Sequence, residues 1–153
     1  MPIDMDNMLA GFSNQLIGSS SAEIDFGDGA QGPITVAVSI LRAEDVLDVG
    51  FVVTEPITLN DPAATIEIGR RLPGGGQDND HFVTYSLTDA IAAGTVLRVS
   101  DGSLSWTANA DTEANRLLAL GTTVTFTAGT GTTTGKIAPF VIMRPQGPLD
   151  PIA

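Results

Sequence analysis

The chain has 153 residues, 18 acidic against 7 basic side chains, a formal net charge of −11, one histidine and no cysteine. Without cysteine there are no disulfides, thiolate metal centres or thiol nucleophiles, and a single histidine, His81, excludes a multi-histidine metal site. The acidic balance argues against nucleic acid or anionic membrane as partner, since a polyanion is held by Lys and Arg that displace its counterions; no apolar run approaches the roughly 20 residues that span a bilayer.

Along the chain, the first segment carries Met5, Met8, Leu9, Phe12, Leu16 and Ile17 at helical spacing, with Asp4 or Asp6 as N-cap and Gly18 as C-cap. The same residues suit an extended arm laid on a neighbour, so residues 1–20 are read as a short helix or an arm. Asp4 and Asp6 stand where an export signal would carry Lys or Arg, which argues against one. Beyond Ser21 the period becomes two. Ile34, Val36, Val38 and Ile40 alternate with Thr35, Ala37, Ser39 and Leu41 after Gly32–Pro33, and Val49, Phe51 and Val53 give a second strand ended by Pro56. Ile57 and Leu59, then Ile66 and Ile68, predict two short strands around an Asn60–Asp61–Pro62 turn. The run from Leu72 to Asp80 reads as a loop and His81–Leu87 as the next strand.

In TVLRVSDGSLSWTA, Asp101–Gly102 between alternating runs predicts a two-residue type I′ hairpin, because both turn positions need positive φ. That register sets Val99 against Leu104 and Leu97 against Trp106 on an apolar face. Asp111–Leu120 predicts a short helical turn capped by Asp111 or Thr112, and Thr122–Ala128 a strand with Val124 and Phe126 inward. Lys136–Arg144 gives the last strand. Pro139 marks it as an edge or a bulge, since proline cannot donate to a ladder. Pro145, Pro148 and Pro151 keep the remaining residues extended. Eight or nine short strands without an internal repeat predict one all-β domain, a β-sandwich or jelly-roll-like barrel over 21–144, followed by a proline-rich tail over 145–153.

Candidate chemistry is sparse. Asp78, Asp80 and His81 form one acid–histidine cluster with ligands for Ca²⁺ or a transition metal, but the spacing is not that of an EF-hand and turn geometry accounts for the same residues. Phe26–Gly32 is glycine-rich but lacks the Lys-Ser/Thr of a phosphate loop, and Asp28 would repel phosphate. No Gly-x-Ser-x-Gly elbow occurs. Glu44, Asp45 and Asp48 include carboxylate pairs of the kind that glycoside hydrolysis uses, yet 18 acids produce such pairs by chance. No catalytic residue, metal or cofactor is expected. Trp106 and Tyr85 are the aromatic platforms for a carbohydrate-binding reading, although the hairpin register puts Trp106 in the core. The two flanking segments carry the contact residues instead: Met5, Met8, Leu9, Phe12 and Leu16 before the body, and Pro145, Pro148, Leu149, Pro151 and Ile152 after it.

Small size, absence of cysteine, Gly/Thr/Ala-rich alternating strands such as GPITVAVSILRAEDVLDVGFV and LTDAIAAGTVLRVSDG, acidic charge and apolar flanking segments together resemble capsid decoration (cement) proteins of tailed bacteriophages. The resemblance is one of overall character from Ala22 to Arg144 and rests on no diagnostic motif. It implies a non-enzymatic virion protein, a homotrimer on the capsid exterior in contact with the major capsid protein, made in the host cytoplasm and stabilising the lattice. The alternatives are a head-fibre, tail or baseplate component, and a carbohydrate-binding module.

Overall fold

The structure, a computed structural model, describes residues 16–19, 23–28, 31–38, 43–59, 64–128 and 134–145. Ten strands occupy these residues: β1 (Leu16–Ser19), β2 (Ile24–Asp25), β3 (Gln31–Val38), β4 (Glu44–Thr58), β5 (Thr65–Arg71), β6 (Gln77–Ser86), β7 (Val96–Arg98), β8 (Leu117–Leu118), β9 (Thr123–Ala128) and β10 (Thr134–Pro145). Two single 3-10 turns, Phe26–Asp28 and Glu113–Arg116, are the helical content of these residues.

The strands form two antiparallel sheets. The first has the order β1-β10-β4-β7, with β2 also beside β10 and β8 beside β4; the second has the order β3-β9-β5-β6. With β1 and β2 taken as two pieces of one interrupted strand, and β8 as a short addition to β4, eight strands pair from the outside inward. First meets last (β1/β2 with β10), then β3 meets β9, β4 meets β7 and β5 meets β6. A long antiparallel hairpin rolled into two layers gives this order, and it is the connectivity of a jelly roll. Both sheets remain open, so the fold is a sandwich and not the closed barrel that was one expectation.

Alternation explains which side chains lie between the layers. Val49, Phe51 and Val53 of β4 and Ile137 and Val141 of β10 face Ile66 and Ile68 of β5 and Val124 and Phe126 of β9, all of them buried. Phe51 stitches the layers together: its ring meets Phe126 and Tyr85 edge-on, each at 6.1 Å between centroids. Removing each such side chain from water stabilises the fold by about 1.5–3 kcal/mol.

Several expectations are corrected by the strand boundaries. Leu16–Ser19 is a strand, not the end of a helix, and Gly18 pairs with Val141 instead of capping anything. Strand β4 does not end at Pro56 but continues to Thr58, which brings Ile57 into the same strand. It passes the proline by a bulge opposite Gly135, whose φ is +121° and where a Cβ would lie 2.5 Å from the Pro56 carbonyl. Only Leu72–Gly76 forms the turn after β5; Gln77–Asp80 already belong to β6. Strand β10 lies inside its sheet, contrary to the edge that Pro139 suggested. Pro139 pairs with Phe51 on one side, and on the other it falls between the last pair of β1, Ser19 with Phe140, and the first of β2, Ile24 with Ile137. The interruption of the outer strand sits where proline has no N–H to offer. The Asn60–Asp61–Pro62 turn lies outside the described residues.

The Asp101–Gly102 turn also departs from expectation. Gly102 has φ +82°, but no non-glycine among the described residues has positive φ, so the turn is not type I′. Asp101 Oδ1 accepts from the Ser103 N–H at 2.9 Å and from Ser103 Oγ at 2.5 Å, and the Gly102 N–H donates to the Val99 carbonyl at 3.0 Å. This lengthens the loop by one residue and removes the predicted register. Past Leu104 the chain does not return along β7. It crosses to the other sheet, where the Thr107 N–H donates to the Phe82 carbonyl at 2.9 Å and Thr107 Oγ1 donates to the His81 carbonyl at 2.5 Å. Strands β7 and β6 are the edges of the two sheets on this side, and the segment between them satisfies backbone acceptors that the β6 edge would otherwise leave open.

Candidate interaction surface

The acid–histidine cluster is built by an irregularity in β6. The register with β5 runs Ile68 opposite Val83 and then Arg70 opposite Asp78, so Asn79–Phe82 bulge against the single residue Gly69. A Cβ on Gly69 would lie 2.0 Å from the Asp78 carbonyl oxygen and 2.3 Å from the Asn79 carbonyl carbon, so only glycine admits the bulge. The bulge turns both His81 and Phe82 inward, where they are 4% and 0% exposed. His81 Nε2 lies 2.8 Å from the Asn115 carbonyl, which only accepts, so this nitrogen carries a proton. Nδ1 lies 3.1 Å from Asp78 Oδ2, while Asp80 is exposed. Both ring nitrogens are thus engaged: Nε2 joins β6 to the 3-10 turn, and Nδ1 meets a carboxylate of β6 itself. Among the described residues no three His, Asp or Glu side chains converge as metal ligands.

The carboxylates of β4 are likewise engaged. Asp48 is buried and accepts from Arg98 Nε at 2.6 Å, from the Ser100 N–H at 3.0 Å and from Ser100 Oγ at 2.8 Å, and it pairs with a second Arg98 nitrogen. Asp45 accepts from Arg144 at 3.2 Å. Of the glycine-rich stretch, Phe26–Asp28 forms a 3-10 turn in which the Gly27 N–H donates to Asp25 Oδ1 at 2.9 Å, and Gln31 and Gly32 already belong to β3.

Trp106 packs edge-on against Phe82, 6.2 Å between centroids, and not opposite Leu97 as the hairpin register required. The Arg116 guanidinium lies 4.8 Å from the Trp106 ring centroid and donates from Nη1 to the Ala110 carbonyl at 3.0 Å. Beside them is a shallow pocket of about 180 Å³ lined by Asp45, Val46, Leu47, Trp106, Glu113 and Arg116. The helical turn read over Asp111–Leu120 is reduced to Glu113–Arg116, and Thr112 occupies its N-cap position without a side-chain capping bond. Tyr85, the other aromatic candidate, is half-buried against Phe51.

Of the contact residues, Met5, Met8, Leu9, Phe12, Pro148, Leu149, Pro151 and Ile152 lie outside the described residues. Leu16 and Pro145 are inside, and the first sheet brings them together. Leu16 pairs with Met143, two residues from Pro145, and Pro145 pairs with Glu44 on the far side of β10. The segments 1–15 and 146–153 therefore join the body on neighbouring strands, at the same end of one sheet.

A second surface was not read from the sequence. On β4, Val49, Phe51 and Val53 face the core, which turns Gly50 and Val52 outward. Gly50 pairs with Phe140 and Arg98, and Val52 with Ala138 and Val96. A Cβ on Gly50 would lie 2.2 Å from the Leu97 carbonyl oxygen, 2.8 Å from Phe140 Cζ and 2.9 Å from Arg98 Cβ, so this glycine makes room for the β7 backbone as well as for the Phe140 ring and Arg98, whose guanidinium stands 5.6 Å from the ring centroid. With Ile142, opposite Asp48, the outer face carries an apolar stripe of Val52, Val96, Ala138, Phe140 and Ile142. Val96 is 41% exposed and the other four are half-buried. Ion pairs flank the stripe: Lys136 with Glu55 at 2.7 Å at one end, Arg144 with Asp45 at the other, and Arg98 with Asp48 alongside. The Glu55 hydrogen bond, and its charge, hold the Lys136 ammonium above its ordinary value of 10.5. The signal for this face was present in the sequence. Ile137–Met143 is continuously apolar instead of alternating, the pattern of a strand covered on both sides.

Comparison with protein families, with curated proteins and with solved structures finds no match to this chain.

Proposed function

We propose that this protein is a non-enzymatic structural component of a tailed-phage virion, which seats on the outer capsid lattice as an oligomer in contact with the major capsid protein and stabilises it. The observation that carries the proposal is the placement of Leu16 and Pro145 on neighbouring strands at one end of the first sheet. Two apolar flanking segments attached side by side can act as one bidentate anchor, and each needs only modest affinity because many copies on a fixed lattice multiply it. The chemistry-bearing side chains support the same reading. His81 joins two parts of the fold, Asp48 fixes the Arg98–Ser100 corner, and Arg116 covers the Trp106 face that a sugar would stack on. The homotrimer implied by the resemblance is part of the proposal.

Electron microscopy of particles that carry the protein tests it. Density at every equivalent lattice position supports a decoration role, whereas density confined to a tail or fibre overturns it. Removing residues 1–15, 146–153 or both should abolish co-sedimentation with capsids while the β-sheet circular dichroism is retained. Undiminished co-sedimentation of the doubly shortened chain would overturn the anchor.

A further inference from the structure

We propose that the outer face of the first sheet, centred on Val52, Val96, Ala138, Phe140 and Ile142, is where a second copy of this chain docks. The proposal deepens the reading above, which calls for an oligomer, but it rests on separate observations.

The first is the composition of the face. A sheet whose outer side is solvated alternates apolar-in with polar-out along each strand. Strand β10 breaks that rule: Ile137, Val141 and Met143 enter the core, while Ala138, Phe140 and Ile142 form an apolar row on the other side. Val52 and Val96 extend the row across β4 and β7. The result is contiguous over three strands, with Phe140 near its centre; the Arg98 guanidinium, paired with Asp48, stands beside that ring, and the other two ion pairs lie at the ends. A central apolar patch with a polar rim is the anatomy of a protein–protein contact.

The second is electrostatic, and it selects the occupant. The chain carries −11, so two copies repel one another over most approaches. On this face every cation has an acidic partner: Arg98 with Asp48, Lys136 with Glu55 and Arg144 with Asp45. These pairs take three of 7 cations and three of 18 acids, leaving four cations against 15 acids for the rest of the chain. Two further carboxylates, Asp25 and Glu23, act on Lys136 at one end of the face, while among the described residues around Phe140 the one carboxylate, Asp48, is balanced by Arg98, so the centre of the face is close to neutral in a strongly acidic molecule. A basic partner would be drawn to the unbalanced acids elsewhere. A second copy, equally acidic, meets least repulsion where both faces are neutral, and there each Phe140 and its neighbours leave water.

The geometry also explains the use of glycine at position 50. A Cβ there would lie 2.2 Å from the Leu97 carbonyl oxygen and 2.8 Å from Phe140 Cζ, so glycine both admits the close approach of β7 and leaves the space that the ring occupies. Arg98 over the ring holds it in place from the side of the Asp48 ion pair.

The test is analytical ultracentrifugation of the full chain and of two variants, Val96→Glu and Val52→Glu, with circular dichroism and Trp106 emission as the controls for folding. Val96 is exposed on a short edge strand, so its variant is expected to fold. The wild type is expected to self-associate, and each variant to weaken association by roughly 100-fold or more, because a carboxylate would be buried without a partner. Association should hold or strengthen from about 0.1 M to about 1 M salt, as the Debye length falls from about 10 Å to about 3 Å and the overall repulsion is screened. Three results would overturn the proposal: a wild-type monomer at about 100 μM, an oligomer untouched by folded Val96→Glu, or association that appears only when residues 1–15 are removed. In the last case that segment, and not a second copy, covers the face. Capsid co-sedimentation is scored separately. A chain that associates through this face but ignores capsids leaves this proposal standing and removes the functional one; a chain whose capsid binding survives while its oligomer ignores both substitutions does the reverse.

Discussion

Gly69→Ala adds one methyl group at the point where β6 bulges over β5. The new Cβ would stand 2.0 Å from the Asp78 carbonyl oxygen and 2.3 Å from both the carbonyl carbon and oxygen of Asn79. Those are backbone atoms, so no side-chain rotation relieves the contact and the bulge itself must move. Overpacking in a well-packed region costs about 1–3 kcal/mol, and more where the backbone must shift. Displacing residues 79–82 also puts at risk the two hydrogen bonds from Thr107 and the His81–Asn115 contact, each worth about 1 kcal/mol net, and part of the burial of Phe82, worth about 1.5–3 kcal/mol in full. A destabilisation of about 3 kcal/mol or more follows, which for a domain of this size lowers Tm by roughly 6–12 °C. Gly74→Ala is the control. It sits in the adjacent turn, nothing lies within 4 Å of its Cβ, and it should stay within about 0.5 kcal/mol of the wild type. Thermal unfolding by circular dichroism gives the stability, and Trp106 emission gives the location, because Trp106 leans on Phe82. Gly69→Ala should redden that emission and Gly74→Ala should not. A Gly69→Ala protein that unfolds within a degree or two of the wild type, with unchanged emission, would refute the reasoning that the bulge depends on glycine and locks the 104–107 segment.

Other consequences are open to equally direct measurement. Asp48→Ala removes the acceptor for Arg98 and for both Ser100 donors, and should cost about 3 kcal/mol in urea unfolding; Arg98 is partly exposed and recovers some hydration, which keeps the loss from being larger. Arg116→Ala uncovers the Trp106 ring and should cost about 0.5–1 kcal/mol with a red shift in emission, and the wild-type emission should not respond to simple sugars. Hydrogen bonds from Ser103 hold the Asp101 carboxyl below its ordinary value of 3.8. Its contribution to stability is therefore present above 3.8 and lost as the pH falls through the depressed folded value. Carboxyl NMR should show Asp101 titrating below 3.8, returning upward in Ser103→Ala. Lys136 behaves oppositely: its contribution is present below 10.5 and lost as the pH rises through the raised folded value, and Glu55→Gln should bring that titration back down.

The parts of the fold that were legible in the sequence are those fixed by side-chain alternation. Val49, Phe51 and Val53, or Val124 and Phe126, face inward because a strand has no other way to bury them, and their period of two is visible without any partner. What failed depends on atoms that sequence spacing does not display. Asp101 was read as a positive-φ turn residue, but its carboxylate found the Ser103 donors and the loop gained a residue. Pro139, a residue without a donor, predicts an edge or a bulge; β10 is not an edge, and a break in the outer strand serves the same need. The bulge over Gly69 has no local signature, since nothing in Asn79–Phe82 announces that four residues will face one. The acid–histidine cluster looked like chemistry because its residue types are those of ligands. The structure shows their bonds going to the Asn115 carbonyl and to one another.

The scarcity of charge in the composition acquires a location. Charged residues are 16% of the chain, well under the roughly 25% of an ordinary soluble domain. A uniform shortage would leave apolar side chains scattered over the surface, which is common and carries no consequence. Here part of the shortage is concentrated on one side of β10, where the inner face is core and the outer face is also apolar. Three of the seven cations lie around that face, each neutralised by an acid, so charge there sets a boundary and does not solubilise the centre. A sheet with both sides apolar is stable in water only when something lies against each side. The second sheet covers the inner side. Because the cations of the outer side are paired and most of the excess acids belong to the remainder of the molecule, the arrangement is one in which like-charged copies can meet face to face while most of their acidic surface stays apart.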